Sequence, residues 1–171
     1  MSGNVFDIVL ATESLHASID RWNGIVNTVA PRYSVPPNLV KAHMLYESGG
    51  DPNIVGGSGR GLGLMQIDYG TSKNWLGQWF YSGSHGKTYD IFKPEVNILI
   101  ACRDFIRPNM LAFPHDLDAC IAAYNAGIAA VESAARLGGD LTKVTYDSAY
   151  IENVSHAFAW LNGTSHEGVL A

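Results

Sequence analysis

Apolar residues recur at helical spacing in run after run, each run closed by proline or glycine, and this pattern restricts the chain to a helical fold. Leu15, Ile19, Trp22, Val26 and Val29 keep a helix period until Pro31, so about residues 12 to 30 form one amphipathic helix by pattern. Pro36 and Pro37 suit the first turn of a second helix, in which Val40, Met44 and Glu47 share a face. Phe92, Val96, Leu99, Ile100 and Ile106 define a third, stopped by Pro108; Leu117, Cys120, Ile121 and Tyr124 a fourth, stopped by Gly127; Val131 to Leu137 a fifth, before Gly138. A last helix is expected from about Asp147, a suitable N-cap, through Ile151, Val154, Phe158 and Leu161 to Gly163. Residues 49–63 hold seven glycines and read as irregular turns, while residues 69–90, rich in glycine, serine and aromatics without a sustained period, suggest a long loop or small hairpin bordering a cleft. With no repeat, linker or second domain in sight, the expected class is mainly α, in a single domain of 171 residues whose 47% hydrophobic content can fill a core.

Charge removes one class of function. Eleven Lys and Arg against sixteen Asp and Glu leave a net charge of −5, with no basic stripe to neutralise phosphates, so nucleic acid is not an expected partner. No uninterrupted apolar run reaches the length a membrane span requires. The sequence starting MSGNVFDIVLA has no basic n-region and Asp7 interrupts its apolar stretch, so it does not read as a signal peptide and the chain is expected to be soluble. Cys102 and Cys120 could form one disulfide, but reduced core thiols are the favoured reading. The six histidines show no pair at metal-ligand spacing on a shared helix, and no glycine-rich segment sits in a strand–turn–helix unit, so neither metal nor cofactor is expected.

Glu47 ends the second helix, in HMLYESGGDP. A glutamate there is either a snorkelling acid at a helix end or a carboxyl held in a cleft for proton transfer. The negative end of the helix dipole and apolar neighbours such as Met44 both disfavour its charged form and raise its pKa. A carboxyl that stays protonated near neutral pH is what a general acid needs, and protonating a glycosidic oxygen is a reaction that requires one.

Four motifs then occur in order: ES (Glu47, Ser48), GLMQI (Gly63 to Ile67), AYNAG (Ala123 to Gly127) and YIENV, led by Tyr150. Together they resemble the superfamily of soluble lytic transglycosylases and goose-type lysozymes. The resemblance covers about residues 35–162; it leaves 1–34 as an N-terminal helical extension packed on the domain and 163–171 as a frayed tail. It implies a lysozyme-like α fold and cleavage of the β-1,4 bond between N-acetylmuramic acid and N-acetylglucosamine in peptidoglycan; the chain is expected to act as a monomer. It also implies Glu47 as the catalytic acid, Ser48 and Gln66 beside it, Tyr124 and Asn125 bordering the site, and Tyr150 with its hydroxyl near the catalytic carboxyl. A Tyr hydroxyl and two amides suit a carboxyl and a sugar N-acetyl group. Tyr124 also continues the Leu117, Cys120, Ile121 face and can serve as core, and Asn125 can simply end its helix.

The second carboxylate is ambiguous. GLMQID is closer to the goose-type pattern, which makes Asp68 a candidate to hold water in an inverting hydrolysis. A goose-type acid expected just before GLMQ has no counterpart in GGSGRG, and Asp51, in DPN, reads as a turn start. Lytic transglycosylases need no second acid, since one glutamate protonates the leaving oxygen and then draws the proton from the C6 hydroxyl as a 1,6-anhydro ring closes. Trp75, Trp79 and Tyr81 are either sugar-stacking faces or a small apolar cluster under the loop. A short lysozyme-like domain of this kind also resembles phage-encoded wall-degrading proteins, whether lysis enzymes or tail-associated ones. The rival reading from another class is a catalytically dead glycan-binding or virion module that keeps the cleft.

Overall fold

The computed structural model describes residues 17–57, 59–68 and 90–163. After a helical turn at 17–20, helix α1 (Asn23–Val29) runs into a 3-10 turn (Ala30–Tyr33), and α2 (Pro37–Ser48) follows. Beyond the glycine-rich turns come α3 (Pro94–Ile100), a π-helical stretch (Ala101–Ile106) and α4 (Arg107–Ala112). Helices α5 (Leu117–Ala126) and α6 (Ile128–Arg136), a 3-10 turn (Leu141–Lys143) and α7 (Tyr150–Leu161) complete the order. The fold is mainly α, as expected; among the described residues, extended pairing is limited to the antiparallel bridges Val55–Leu62 and Leu62–Ile67.

Helix α2 is the axis of the molecule. Pro36 is extended, as a residue before proline must be, Pro37 enters at the first turn, and Gly49 closes the helix in the left-handed region at φ 60°, its N–H on Leu45 O. Six consecutive residues, Leu39 to Met44, are buried, so this helix is enclosed all round rather than amphipathic. Even Lys41 is covered, its ammonium 2.8 Å from Asp20 and 3.0 Å from Asn23 Oδ1. The most extensive packing partner of α2 is α7, and α5 packs on α4, α6 and α7. From Leu45 onward α2 emerges from the core, which delivers Glu47 to an edge instead of the interior.

Three boundaries depart from the sequence pattern. The first stripe is two pieces, because the chain leaves the helix at Arg21 and Trp22, whose guanidinium and indole N–H (3.0 Å) both donate to Gly50 O. Pro108 does not stop the third helix: the preceding turns widen, Arg107 N–H reaching back to Cys102 O, and the chain then continues helically through Pro108 to Ala112. Asp147 is not the N-cap of α7; Ala149 occupies that position without a side-chain cap, and Asp147 Oδ1 accepts Ala149 N–H (2.9 Å) in the turn before it.

The turn carrying GLMQI is tied down by Asn97, fully buried on α3. Its amide donates to Leu62 O and Ile91 O (both 2.9 Å) and accepts Met65 N–H (2.8 Å). Gly63, at φ 72°, lies so close that a Cβ there would meet Asn97 Nδ2 at 2.6 Å. Cys102 and Cys120 are buried and unbridged, and burial pushes their thiols up to about 12 and about 11. The loop expected to carry Trp75, Trp79, Phe80 and Tyr81, and the tail expected to fray, lie outside the described residues. No helix among the described residues is long and apolar enough to cross a membrane.

Candidate active site

Where α2 emerges, a cleft of about 600 Å³ opens between the glycine-rich turns and the C-terminal end of α5. Glu47, Gln66, Asp68, Tyr124 and Asn125 all line it, so five residues expected from sequence come together. Tyr150 stands behind Glu47, its hydroxyl donating to Glu47 Oε1 at 2.6 Å. Ser48 is not brought into this set: its hydroxyl bonds Met44 O (3.2 Å) and receives Gly50 N–H (3.1 Å), which satisfies the end of α2. Trp75 lies outside the described residues.

Burial pushes the Glu47 carboxyl from the ordinary 4.5 up to about 7, against the opposing pull of the Tyr150 hydrogen bond. Tyr150 is fully buried, and burial, followed by the Glu47 charge, raises its hydroxyl well above the ordinary value, so it stays a neutral donor. A second donor–acceptor chain flanks the first. Tyr46 hydroxyl donates to Asp147 Oδ2, its ring meets Tyr150 edge-on at 4.9 Å, and that donation with the Ala149 N–H bond holds Asp147 below the usual carboxylate range.

Tyr124 performs both of the roles open to it. Its ring packs against His43 (4.4 Å between centroids) and Phe105 (5.8 Å), while its hydroxyl donates to Met65 O at 2.7 Å, clamping α5 to the GLMQI turn. Asn125 Oδ1 accepts Tyr146 N–H (2.8 Å) and thereby fixes the segment before α7. Gln66 adopts φ 45° and folds its amide onto Gly63 O (2.9 Å) and Ile54 O (3.3 Å); its Oε1 sits where a Cβ at Gly56 or Gly61 would come within 2.6 Å. The glycines of this stretch thus make room for Gln66.

The second acid is occupied. Asp68 Oδ2 lies 2.9 Å from Arg60 Nη2, and both residues line the cleft. Arg60 belongs to the GGSGRG segment that lacks the goose-type acid, so a cation stands near where that pattern would place a further carboxylate. Asp51 accepts Asn53 N–H at 2.9 Å and is a turn residue. Among the described residues, no group of three His, Cys, Asp or Glu is placed to hold a metal ion.

Sequence reasoning did not single out His43, Tyr46, Phe105 or Tyr146. His43 was within reach of the helix period, lying four residues before Glu47 on α2, whereas Tyr46, one residue before it, shares no face with it. Phe105 and Tyr146 are brought to the cleft only by tertiary packing.

No curated protein was found that matches the chain. The transglycosylase SLT domain matches residues 24–146, more than two thirds of the chain, from within α1 to the segment preceding α7. The GLMQI turn, the AYNAG helix end and the glutamate that closes α2 all lie within that match, and on it the chain belongs to the transglycosylase SLT domain family of peptidoglycan-cleaving enzymes.

Proposed function

We propose that the protein cleaves the β-1,4 bond between N-acetylmuramic acid and N-acetylglucosamine as a lytic transglycosylase, with Glu47 as both acid and base. The observation that carries this reading is a single cleft carboxyl pushed by burial up to about 7 and held by the Tyr150 hydroxyl. Near neutral pH such a carboxyl is populated in both forms, as a group must be that first gives a proton and then takes one back. In the first step Glu47 protonates the leaving glycosidic oxygen while the substrate's own N-acetyl group stabilises the developing cation. In the second, the Glu47 carboxylate accepts the proton of the C6 hydroxyl as its oxygen bonds C1 and closes the 1,6-anhydro ring. Gln66, Tyr124 and Asn125 shape the subsites around this carboxyl, and the aromatic face of Trp75 would extend them.

One observation favours the hydrolytic alternative: Asp68 lines the same cleft as Glu47. Inverting hydrolysis needs a carboxylate holding water across the sugar ring, about 6.5–9.5 Å from the acid. The pairing of Asp68 with Arg60 gives one of its oxygens a duty other than holding water. Resemblance to phage wall-degrading proteins would place the encounter with substrate at a host wall, during lysis or entry. Mass spectrometry of muropeptides released from purified walls separates the two chemistries. The expected ends are 1,6-anhydro-muramyl, lighter by one water than hydrolysed ends, and Asp68→Asn leaves them in place. Dominant reducing ends that vanish in Asp68→Asn would establish hydrolysis with Asp68 as base.

A further inference from the structure

His43 is completely enclosed, on the same helix as Glu47 and one turn before it. Its Nδ1 lies 3.0 Å from the Tyr150 hydroxyl oxygen, and that oxygen lies 2.6 Å from Glu47 Oε1. Among the described residues, its Nε2 is buried without a hydrogen-bond partner. Three groups therefore form a line, His43–Tyr150–Glu47, with the interior at one end and the cleft at the other. Nothing in the family motifs requires a histidine here.

Hydrogens can be placed along this line in two ways. With Glu47 ionised, the short contact to Tyr150 requires the phenolic hydrogen between the oxygens; the phenol oxygen then faces Nδ1 with a lone pair, so Nδ1 must carry the imidazole proton. With Glu47 protonated, the line either keeps this direction or reverses. In the reversed arrangement Glu47 Oε1–H donates to Tyr150, Tyr150 donates to Nδ1, and the imidazole proton moves to Nε2. Nε2 is unpaired in either arrangement, as a lone pair in the first and as an N–H in the second; the reversal additionally requires the imidazole proton to leave Nδ1 for Nε2, and an Nε2 without a partner among the described residues gives it no bonded route across the ring. Burial also pushes the imidazole down to about 3, so it does not acquire a second proton at working pH. Of the titratable groups on the elements packed around it, Tyr150 on α7 bonds it and Tyr124 on α5 packs on its ring, while Glu47 and Tyr46 on α2 meet Tyr150, and Asp147 meets Tyr46.

Resting on the assignment of Glu47 as the acid, we propose that His43 is a positioning residue: its Nδ1–H fixes the direction of the Tyr150 hydroxyl and so keeps the Glu47 proton on Oε2, the oxygen not engaged by Tyr150. Oε2 has no partner among the described residues and is the oxygen left for substrate. Without the histidine, Tyr150 is able to accept the carboxyl proton, which then points away from the bond to be cleaved.

The test is His43→Phe, which keeps a flat ring against Tyr124, assayed on purified peptidoglycan beside Tyr150→Phe and the double variant. Expected for His43→Phe is a loss in kcat of roughly five- to tenfold, the scale of one neutral hydrogen bond, with KM little changed. The alkaline limb of its pH profile moves upward, because the weakened Tyr150 donation stabilises the Glu47 carboxylate less. Adding His43→Phe to Tyr150→Phe costs nothing further, since His43 acts through that hydroxyl. Losses that multiply in the double variant, or an unmoved pH limb, would overturn the proposal and make His43 a packing residue. Should His43→Phe fail to fold, side-chain nitrogen NMR of the unmodified protein decides: a proton on Nδ1 at both pH 5 and pH 8 supports the proposal, and an Nε2–H tautomer overturns it. Failure of the underlying acid assignment has a different signature, which is Glu47→Gln retaining activity.

Discussion

The fold keeps Glu47 in the protonated form that exposure to neutral water would abolish. In the unfolded chain its carboxyl ionises near the ordinary 4.5, whereas in the folded protein it holds its proton up to about 7. Between those values the native state binds a proton that the unfolded state has released, so stability falls as pH rises through this window and levels off above it. The loss amounts to roughly 3 kcal/mol, a large share of what a domain of this size has to spare. Glu47→Gln, which cannot ionise, should escape it: urea unfolding is expected to show the variant gaining on the parent by about 2–3 kcal/mol between pH 5 and pH 8. Parallel stabilities across that range would mean that Glu47 titrates normally and is no poised acid. Both Glu47 and its Tyr150 partner were legible in sequence through their motifs, and the direction of the shift through the helix end and the apolar neighbours. The histidine behind them was not, because a His among buried residues carries no motif, and its meaning depends on which hydroxyl the fold sets against it.

At the scale of elements, the long helices follow the apolar spacing because burial rewards that spacing, and the departures occur where a local rule meets a tertiary contact. Pro108 should end a helix, but a widened turn before it absorbs the missing donor. Asp147 should cap α7, but its carboxylate is shared between Ala149 N–H and the hydroxyl of Tyr46, which lies on α2. The turn that carries Gln66 illustrates the same limit. Its shape comes less from its own glycines than from Asn97, an amide flanked by Val96 and Ile98 that satisfies three backbone groups. Replacing Asn97 with Ala strands those groups without water, and a cost of about 2–4 kcal/mol is expected in urea unfolding. A loss below about 1 kcal/mol would show that the turn holds itself.

Across the whole molecule, the site is assembled from segments that are far apart in the chain and are brought together by packing on α2. Helix α1 packs on α2, the Lys41–Asp20 pair ties the turn before α1 to the same helix, and α7, beyond the family match, supplies Tyr150. Helical class was readable from one-dimensional periodicity; that α2 and α7 meet was implied only by the motif resemblance that sets Tyr150 beside Glu47, since nothing local records a meeting across 103 residues. The central claim of this account is that the one carboxyl at their junction performs the chemistry. Its most direct test is the initial rate of muropeptide release from purified peptidoglycan by Glu47→Gln, with folding confirmed by its unfolding transition. A loss of at least about a hundredfold is expected, the scale of a missing general acid, and release at a near-parental rate by the folded variant would contradict the assignment of Glu47.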